Sequence, residues 1–207
     1  GVDTVFARVG GRTGIATVFV YRDTGWVAQA SGTSRNLNGV YFLGDGRTGW
    51  AVGSGGAIVH TTDAGERWST QPSGTAYNLN AVWFTTAAEG WAVGHLGTVL
   101  HTTNAGGTWR RMNLNVGENL MDVCFANPDT GWVVGSAGVV LRTVDGGATW
   151  QKGALTTSVL QSVSFAGTQD GWLVGDGGKI FGTQDAGTTW SQVQPSITAQ
   201  SLKAVWR

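Results

Sequence analysis

Of 207 residues only one is cysteine, three are proline and 13% are charged. A single thiol cannot build a disulfide framework. Cys124 lies in an apolar, strand-like run, so it reads as a buried and inert thiol. Formal net charge is zero, and Arg110-Arg111 is the one adjacent basic pair. The basic stripe of a nucleic-acid binder is therefore missing, and no nucleic-acid partner is expected. The longest strongly apolar stretch, Ile15 to Tyr21, is too short to span a bilayer, so no membrane insertion is expected. No segment places apolar residues at i, i+3, i+4 and i+7 over a useful length, which argues against helices. No His, Cys or Asp grouping has metal-ligand spacing, and no cofactor is expected. What the chain has instead is 34 glycines, 11 tryptophans and 41% hydrophobic residues. That is enough for a packed core, since a chain of this length buries about 70% of its unfolded surface.

The tryptophans are periodic. Gly-Trp-x-Val-Gly recurs with Trp50, Trp91, Trp132 and Trp172 at spacings of 41, 41 and 40 residues. Trp68, Trp109, Trp150 and Trp190 follow at the same spacings. A fixed period near 40 marks a repeat architecture. One unit holds four short runs, Leu79 to Phe84, Gly90 to Gly94, Gly97 to Thr102 and Thr108 to Arg110, rich in β-branched and aromatic residues and bounded by turn formers. Four strands per unit make a propeller blade. Glycine pairs such as Gly55-Gly56 and Gly177-Gly178 fall between strands rather than before a helix, so they are not phosphate cradles.

Leu37, Leu79, Leu120, Leu160 and Leu202 each open a Leu-x-x-Val run, and the first four runs end at Phe42, Phe84, Phe125 and Phe165. The expectation is an all-β, five-bladed β-propeller of four-stranded antiparallel blades in a single domain, 1–207. Its blades span about 31–71, 72–112, 113–152 and 153–194, with a fifth from 195–207 plus 1–30. The C-terminal strand 202–207 closes the ring by joining N-terminal strands in residues 4–29, at Thr4 to Val9, Ile15 to Val20 and Trp26 to Gln29. Closure would hide sheet edges that otherwise pair with other chains.

Between the last two strands of each unit lies Thr-x-Asp-x-Gly-x-x-Trp, with Asp63, Asn104, Asp145 or Asp185 at its centre. The acidic or amide side chain bonds its own turn and the glycine takes positive φ. These residues and Trp68, Trp109, Trp150 and Trp190 read as structural, the tryptophan packing between blades. Together with Gly-Trp-x-Val-Gly, the pattern resembles the Asp-box, or bacterial neuraminidase, repeat. It is similar, more narrowly, to the photosystem II assembly and stability factor family. The match runs from Leu37 to Trp190. The resemblance implies a propeller and, from the assembly factors, a protein partner. Sialidases and xyloglucan hydrolases share the repeat, so a glycan ligand or a degenerate, sialidase-like glycoside hydrolase is the alternative. The photosynthetic members have seven blades.

Glycoside hydrolysis asks for two convergent carboxylates about 5–9.5 Å apart. The two positions after each inner-strand leucine supply only Asp122 among ten residues, which reads as a polar rim or channel group. His60 and His101 hold equivalent positions, which suggests a structural role. The loops before the inner strands differ while the frame repeats, and variable loops on a rigid frame carry recognition. They and the loops after the second strands offer Arg35, Tyr77, Glu118, His95 and Asp176 as binding contacts on one rim. Asn36, Asn78 and Asn119 read as Asx turns opening the strands. The expected function is a non-catalytic interaction propeller, scaffolding or assembling a protein partner. The chain begins at Gly1 rather than Met, and an extracytoplasmic site, secreted or periplasmic, is expected.

Overall fold

The computed structural model describes residues 7–12, 15–22, 25–193 and 198–206, with side chains from residue 27 onward. The chain forms two compact units, Gly1–Asn113 and Leu114–Arg207. The first opens with a three-stranded sheet, β1 (Ala7–Arg12), β2 (Ile15–Arg22) and β3 (Gly25–Ala30), paired antiparallel in that order. Two four-stranded antiparallel sheets follow. The first sheet is β4 (Leu37–Phe42), β5 (Gly49–Gly53), β6 (Ile58–Thr61) and β7 (Ser69–Thr70). The second is β8 (Leu79–Phe84), β9 (Gly90–Gly94), β10 (Thr98–Thr102) and β11 (Arg110–Met112). In the second unit the third sheet is β12 (Leu120–Phe125), β13 (Gly131–Gly135), β14 (Val139–Thr143) and β15 (Gln151–Ala154). The fourth sheet is β16 (Leu160–Ala166), β17 (Asp170–Gly175), β18 (Ile180–Thr183) and β19 (Ser191–Gln192).

Both glycines of Gly-Trp-x-Val-Gly are steric. The first, at 49, 90, 131 and 171, faces the ring of the phenylalanine that ends its own sheet's inner strand, and a Cβ would overlap that ring. The second, at 53, 94, 135 and 175, would drive a Cβ into the carbonyl just before the inner-strand leucine. Between them the tryptophan is driven inward. Trp50 and Trp132 are fully buried and Trp91 nearly so. Burying one indole is worth roughly 4–6 kcal/mol gross, from ~150–250 Å² at ~25 cal/mol per Å².

Consecutive sheets inside each unit touch through their inner strands, β4 against β8 and β12 against β16. A register shift follows each opening leucine, as between Leu37 and Gly39. The extra residue of such a bulge is free of the ladder and re-aims a side chain. At Asn38 the side-chain amide donates to the Leu79 carbonyl of the next sheet at 2.8 Å. Trp50 lies flat on Phe84 and Trp132 on Phe165, both at 3.5 Å between ring centroids. His60 and His101 stack on Trp50 and Trp91, the structural role expected of them.

Three expectations need correction. Complete four-stranded sheets number four among the described residues, not five. Residues 202–206 make no strand, because a strand needs a ladder and theirs consists of isolated contacts with the fourth sheet: the Leu202 amide to the Gly175 carbonyl, and the Val205 amide to Ser162 Oγ. The first N-terminal strand is Ala7–Arg12 rather than 4–9, residues 4–6 lying outside the described set. Trp68, Trp109, Trp150 and Trp190 stand edge-on to Phe42, Phe84, Phe125 and Phe165 of their own sheets, at 5.8–6.0 Å and 84–88°. Trp109 also packs in the core shared with Trp50, Val52 and Ile58 of the first sheet, where its Nε1 donates to Gln71 Oε1 at 3.4 Å.

Candidate functional site

Each sheet has two ends of different character. At one end the turn between its third and fourth strands is closed by its own side chains. In the fourth sheet Asp185 Oδ1 accepts from Thr183 Oγ1 at 2.8 Å and from the Thr189 amide at 2.9 Å, while Thr189 Oγ1 donates to Oδ2 at 2.7 Å. Asp63, Asn104 and Asp145 hold equivalent turns. The Thr189 amide, with the two hydroxyls, holds the Asp185 carboxyl down at about 2. Asp63 and Asp145 are lowered for the same kind of reason. Their acceptor capacity is spent on the turn, which leaves little for a ligand.

The other end carries the loops that differ in sequence. In the first unit these loops are pinned from beneath. Ser31 and Ser73 are buried and bond the carbonyls of Thr33 and Thr75. Thr33 Oγ1 and Thr75 Oγ1 then accept from the amides of Arg35 and Tyr77, both at 3.1 Å. Asn78 ties the loops together: its Oδ1 accepts from the Gly55 amide at 2.8 Å, and its carbonyl accepts from the His95 amide at 2.9 Å. The Asn78 side chain thus crosses to the first sheet instead of forming the expected Asx turn. The Arg35 guanidinium lies against Gly55, so Arg35, Tyr77 and His95 gather around Asn78. Tyr77 is 41% exposed, and the Arg111 guanidinium sits 5.4 Å above its ring. Arg111 also donates to the Leu96 carbonyl at 3.4 Å, and Leu96 is 53% exposed. The result is a basic and aromatic rim built from non-repeating residues.

Glu118 and Asp176 belong to the second unit and are engaged there. Lys152 Nζ donates to Glu118 Oε1 at 2.7 Å, which holds that carboxyl below its usual range. Asp176 takes the Ser201 hydroxyl, the Gln161 amide at 3.0 Å and, at 3.6 Å, the Lys203 ammonium; these lower it too, Ser201 most. Arg111 and Lys152 were not singled out from the sequence. The one available signal was the Arg110-Arg111 pair, whose two side chains the outer-strand alternation separates.

Asp122 is partly exposed on the inner strand β12. It bridges sheets, accepting from Ser162 Oγ at 2.9 Å and from the Val163 amide at 3.0 Å, besides the Val123 amide. Removal from water outweighs these bonds and raises its carboxyl to about 6. Burial likewise pushes the Cys124 thiol well up, with the Asp122 charge adding to the effect. A thiol so held is a poor nucleophile at neutral pH. Among the described residues no group of three or more His, Cys, Asp or Glu could hold a metal ion.

Four-stranded antiparallel sheets, an almost helix-free chain and a Gly-Trp-x-Val-Gly repeat define a protein of the β-propeller class. The family of the Photosynthesis system II assembly factor YCF48 matches residues 20–117 and 108–199, and the chain belongs to that family. YCF48 from Cyanidioschyzon merolae is similar at 16% identity over 88% of this chain and 67% of the other, with a TM-score of 0.68. The GH74 enzyme of Niastella koreensis is similar at 13% identity over 90% of this chain but 36% of the enzyme, with a TM-score of 0.70. Likeness at such identities shows the fold alone. A YCF48 structure bound to a D1 peptide matches at 18% identity over 94% of this chain and 82% of the other, with a TM-score of 0.47, too low to support an inference about this chain. No curated protein matches.

Proposed function

We propose that the chain is a non-catalytic, protein-binding member of its family, an assembly factor that holds a partner protein through the rim of the first unit. The observation that carries this reading is Tyr77, held exposed beneath Arg111 on a loop the repeat leaves variable. Tyrosine and arginine are the side chains that most often dominate protein interfaces. A guanidinium presented with an aromatic ring suits a partner segment with a carboxylate next to apolar surface. Family membership in an assembly factor group supports the same reading.

The glycosidase alternative is weaker on chemical grounds. Glu118 and Asp176, the carboxylates on the variable loops, are neutralised by lysines, and the bridging Asp122 spends its oxygens on the next inner strand. A fluorogenic glycoside panel and a glycan array address it directly. An extracytoplasmic location remains part of the proposal.

The decisive experiment compares wild type with Arg35→Ala/Tyr77→Ala in affinity capture from the native source, read by mass spectrometry. The double variant is expected to melt within about 1–2 °C of wild type, as surface changes do, and to lose the captured partner. Capture that survives the double change, but is lost when the turns at Asp63 and Asn104 are altered, would place binding at the opposite end of the sheets.

A further inference from the structure

The second and third sheets carry different side chains at three equivalent places. On the outer strands Arg111 lies opposite Leu100 and Lys152 opposite Leu141, so the two cations hold one position. Two residues before the inner-strand leucine stand Tyr77 and Glu118. In the turn between the second and third strands stand Leu96 and Ala137. The third sheet supplies its own counter-charge, since Lys152 Nζ donates to Glu118 Oε1 at 2.7 Å. In the second sheet the loop offers a ring instead. Arg111 lies 5.4 Å over Tyr77 and donates to the Leu96 carbonyl at 3.4 Å. Among the described residues no carboxylate pairs with it.

Leu96 is the costlier of these exchanges. The four equivalent turns put Gly55, Leu96, Ala137 and Gly177 at φ of 62°, 51°, 54° and 70°. Left-handed backbone crowds any Cβ, and a bulky side chain more than a methyl group. Glycine meets no such resistance. The chain nevertheless holds a leucine there and leaves it exposed, so burial does not offset the strain. Strain of this kind persists at sites that bind or switch. Tyr77, under the same guanidinium, is exposed as well. Relative to the third sheet, the second keeps the cation, loses the internal carboxylate and gains apolar surface on both sides of it.

We infer that Leu96, Tyr77 and Arg111 form a subsite for an extended protein segment in which a bulky aliphatic side chain and a carboxylate lie two residues apart. Residues i and i+2 of an extended segment face the same side. The aliphatic side chain seats on Leu96 and Tyr77. The carboxylate takes on Arg111 the place that Glu118 takes on Lys152. A guanidinium is well suited to a carboxylate and repels a basic flank. The subsite rests on the reading of the first unit's rim as the binding surface. It adds to that rim the residue that selects the apolar side chain, Leu96, at a position where two of the sister turns have glycine.

The probe is the blocked peptide acetyl-Gly-Ser-Leu-Thr-Glu-Ser-Gly-amide, titrated into protein with ¹³C-labelled leucine methyls and read by NMR. The peptide is expected to saturate and to shift the Leu96 methyls, assigned as those missing in Leu96→Gly. Changing the peptide's leucine to serine, or its glutamate to lysine, is expected to weaken binding at least about tenfold. Leu96→Gly is expected to weaken it about tenfold. Its melting temperature should stay level or rise by no more than about 2–4 °C, since relief of strain is partly offset by glycine's freedom in the unfolded chain. Arg111→Gln is expected to weaken binding about threefold to tenfold and to remove most of its salt dependence. Tyr77→Glu, which gives the second sheet the third sheet's ion pair, is expected to abolish it. Leu96 methyls that stay put, or a lysine peptide that binds as well as the glutamate peptide, overturn the proposal. So does a Leu96→Gly protein that melts more than about 4 °C lower, which would make the leucine a packing residue. Affinity capture reads the rim separately. A partner lost in Arg35→Ala/Tyr77→Ala but kept in Leu96→Gly removes the subsite and leaves the rim. A partner kept in the double variant, while the peptide still shifts Leu96 in wild type, removes the rim as the partner's site and leaves the subsite's chemistry standing.

Discussion

Trp132 and Trp172 are placed by the same five-residue pattern on adjacent sheets, yet one is sealed and the other is open. Nothing within their own strands accounts for this. Gly131 and Gly171 both lie against a phenylalanine, and both tryptophans sit at equivalent register. Two things differ: Phe165 covers Trp132 while no phenylalanine covers Trp172 among the described residues, and the facing strand carries Arg142 opposite Trp132 but Gly182 opposite Trp172. Burial in this repeat depends on the junction between sheets as well as on the sheet itself.

The sharpest test removes each indole in turn. Trp132→Ala is expected to cost about 3–5 kcal/mol, the range for large-to-small changes in a filled core. Trp172→Ala is expected to cost about 1–2 kcal/mol, since less apolar surface is withdrawn from water. Equal losses in denaturant melts would show that the open flank is covered in solution. The next contrast lies within a unit. Trp109→Ala is expected to cost about 3–5 kcal/mol, and Asp145→Ala distinctly less, because that side chain only braces an exposed turn. A reversal of this order in urea midpoints would make the turn, not the ring packing, the source of stability.

The smallest effect is a pH dependence of opposite sign at two carboxylates. Asp122, at about 6 in the folded chain, lies above its ordinary value of 3.8. Its stabilisation is therefore complete below about 3.8 and lost as pH rises through 6. Asp185, at about 2, lies below the same ordinary value. Its contribution is complete above about 3.8 and lost as pH falls toward 2. Urea midpoints from pH 2 to 8 are expected to lose the first slope in Asp122→Asn and the second in Asp185→Asn. Unchanged profiles in the variants would assign the slopes to other groups.

The period, the strand types and the aspartate turns were legible because each rests on local chemistry: alternation, a glycine at positive φ, an acceptor two residues from a threonine. The stacking of Trp50 on Phe84 and of Trp132 on Phe165 was not, since spacing identifies a strand but not which ring of the next sheet lies against it. The run from Leu202 reads like the other inner strands, yet Leu37 to Phe42 is a strand because β5 pairs with it, and residues 202–206 have no such partner among the described residues. At the rim, Arg35, Tyr77 and His95 stood out by breaking the repeat. Their convergence on Asn78 did not, because it depends on bonds from Asn78 to Gly55 and to His95, on loops either side of it in sequence.

The glycine-flanked indole gives the chain a direction. In both junctions described here, first sheet to second and third to fourth, the earlier unit offers the indole and the later one supplies the lid. Each unit needs from its successor only a phenylalanine on the inner strand, and brings an indole of its own. Tandem duplication can therefore lengthen such an array without rewriting an existing unit, so copy number can change in evolution while each junction stays the same.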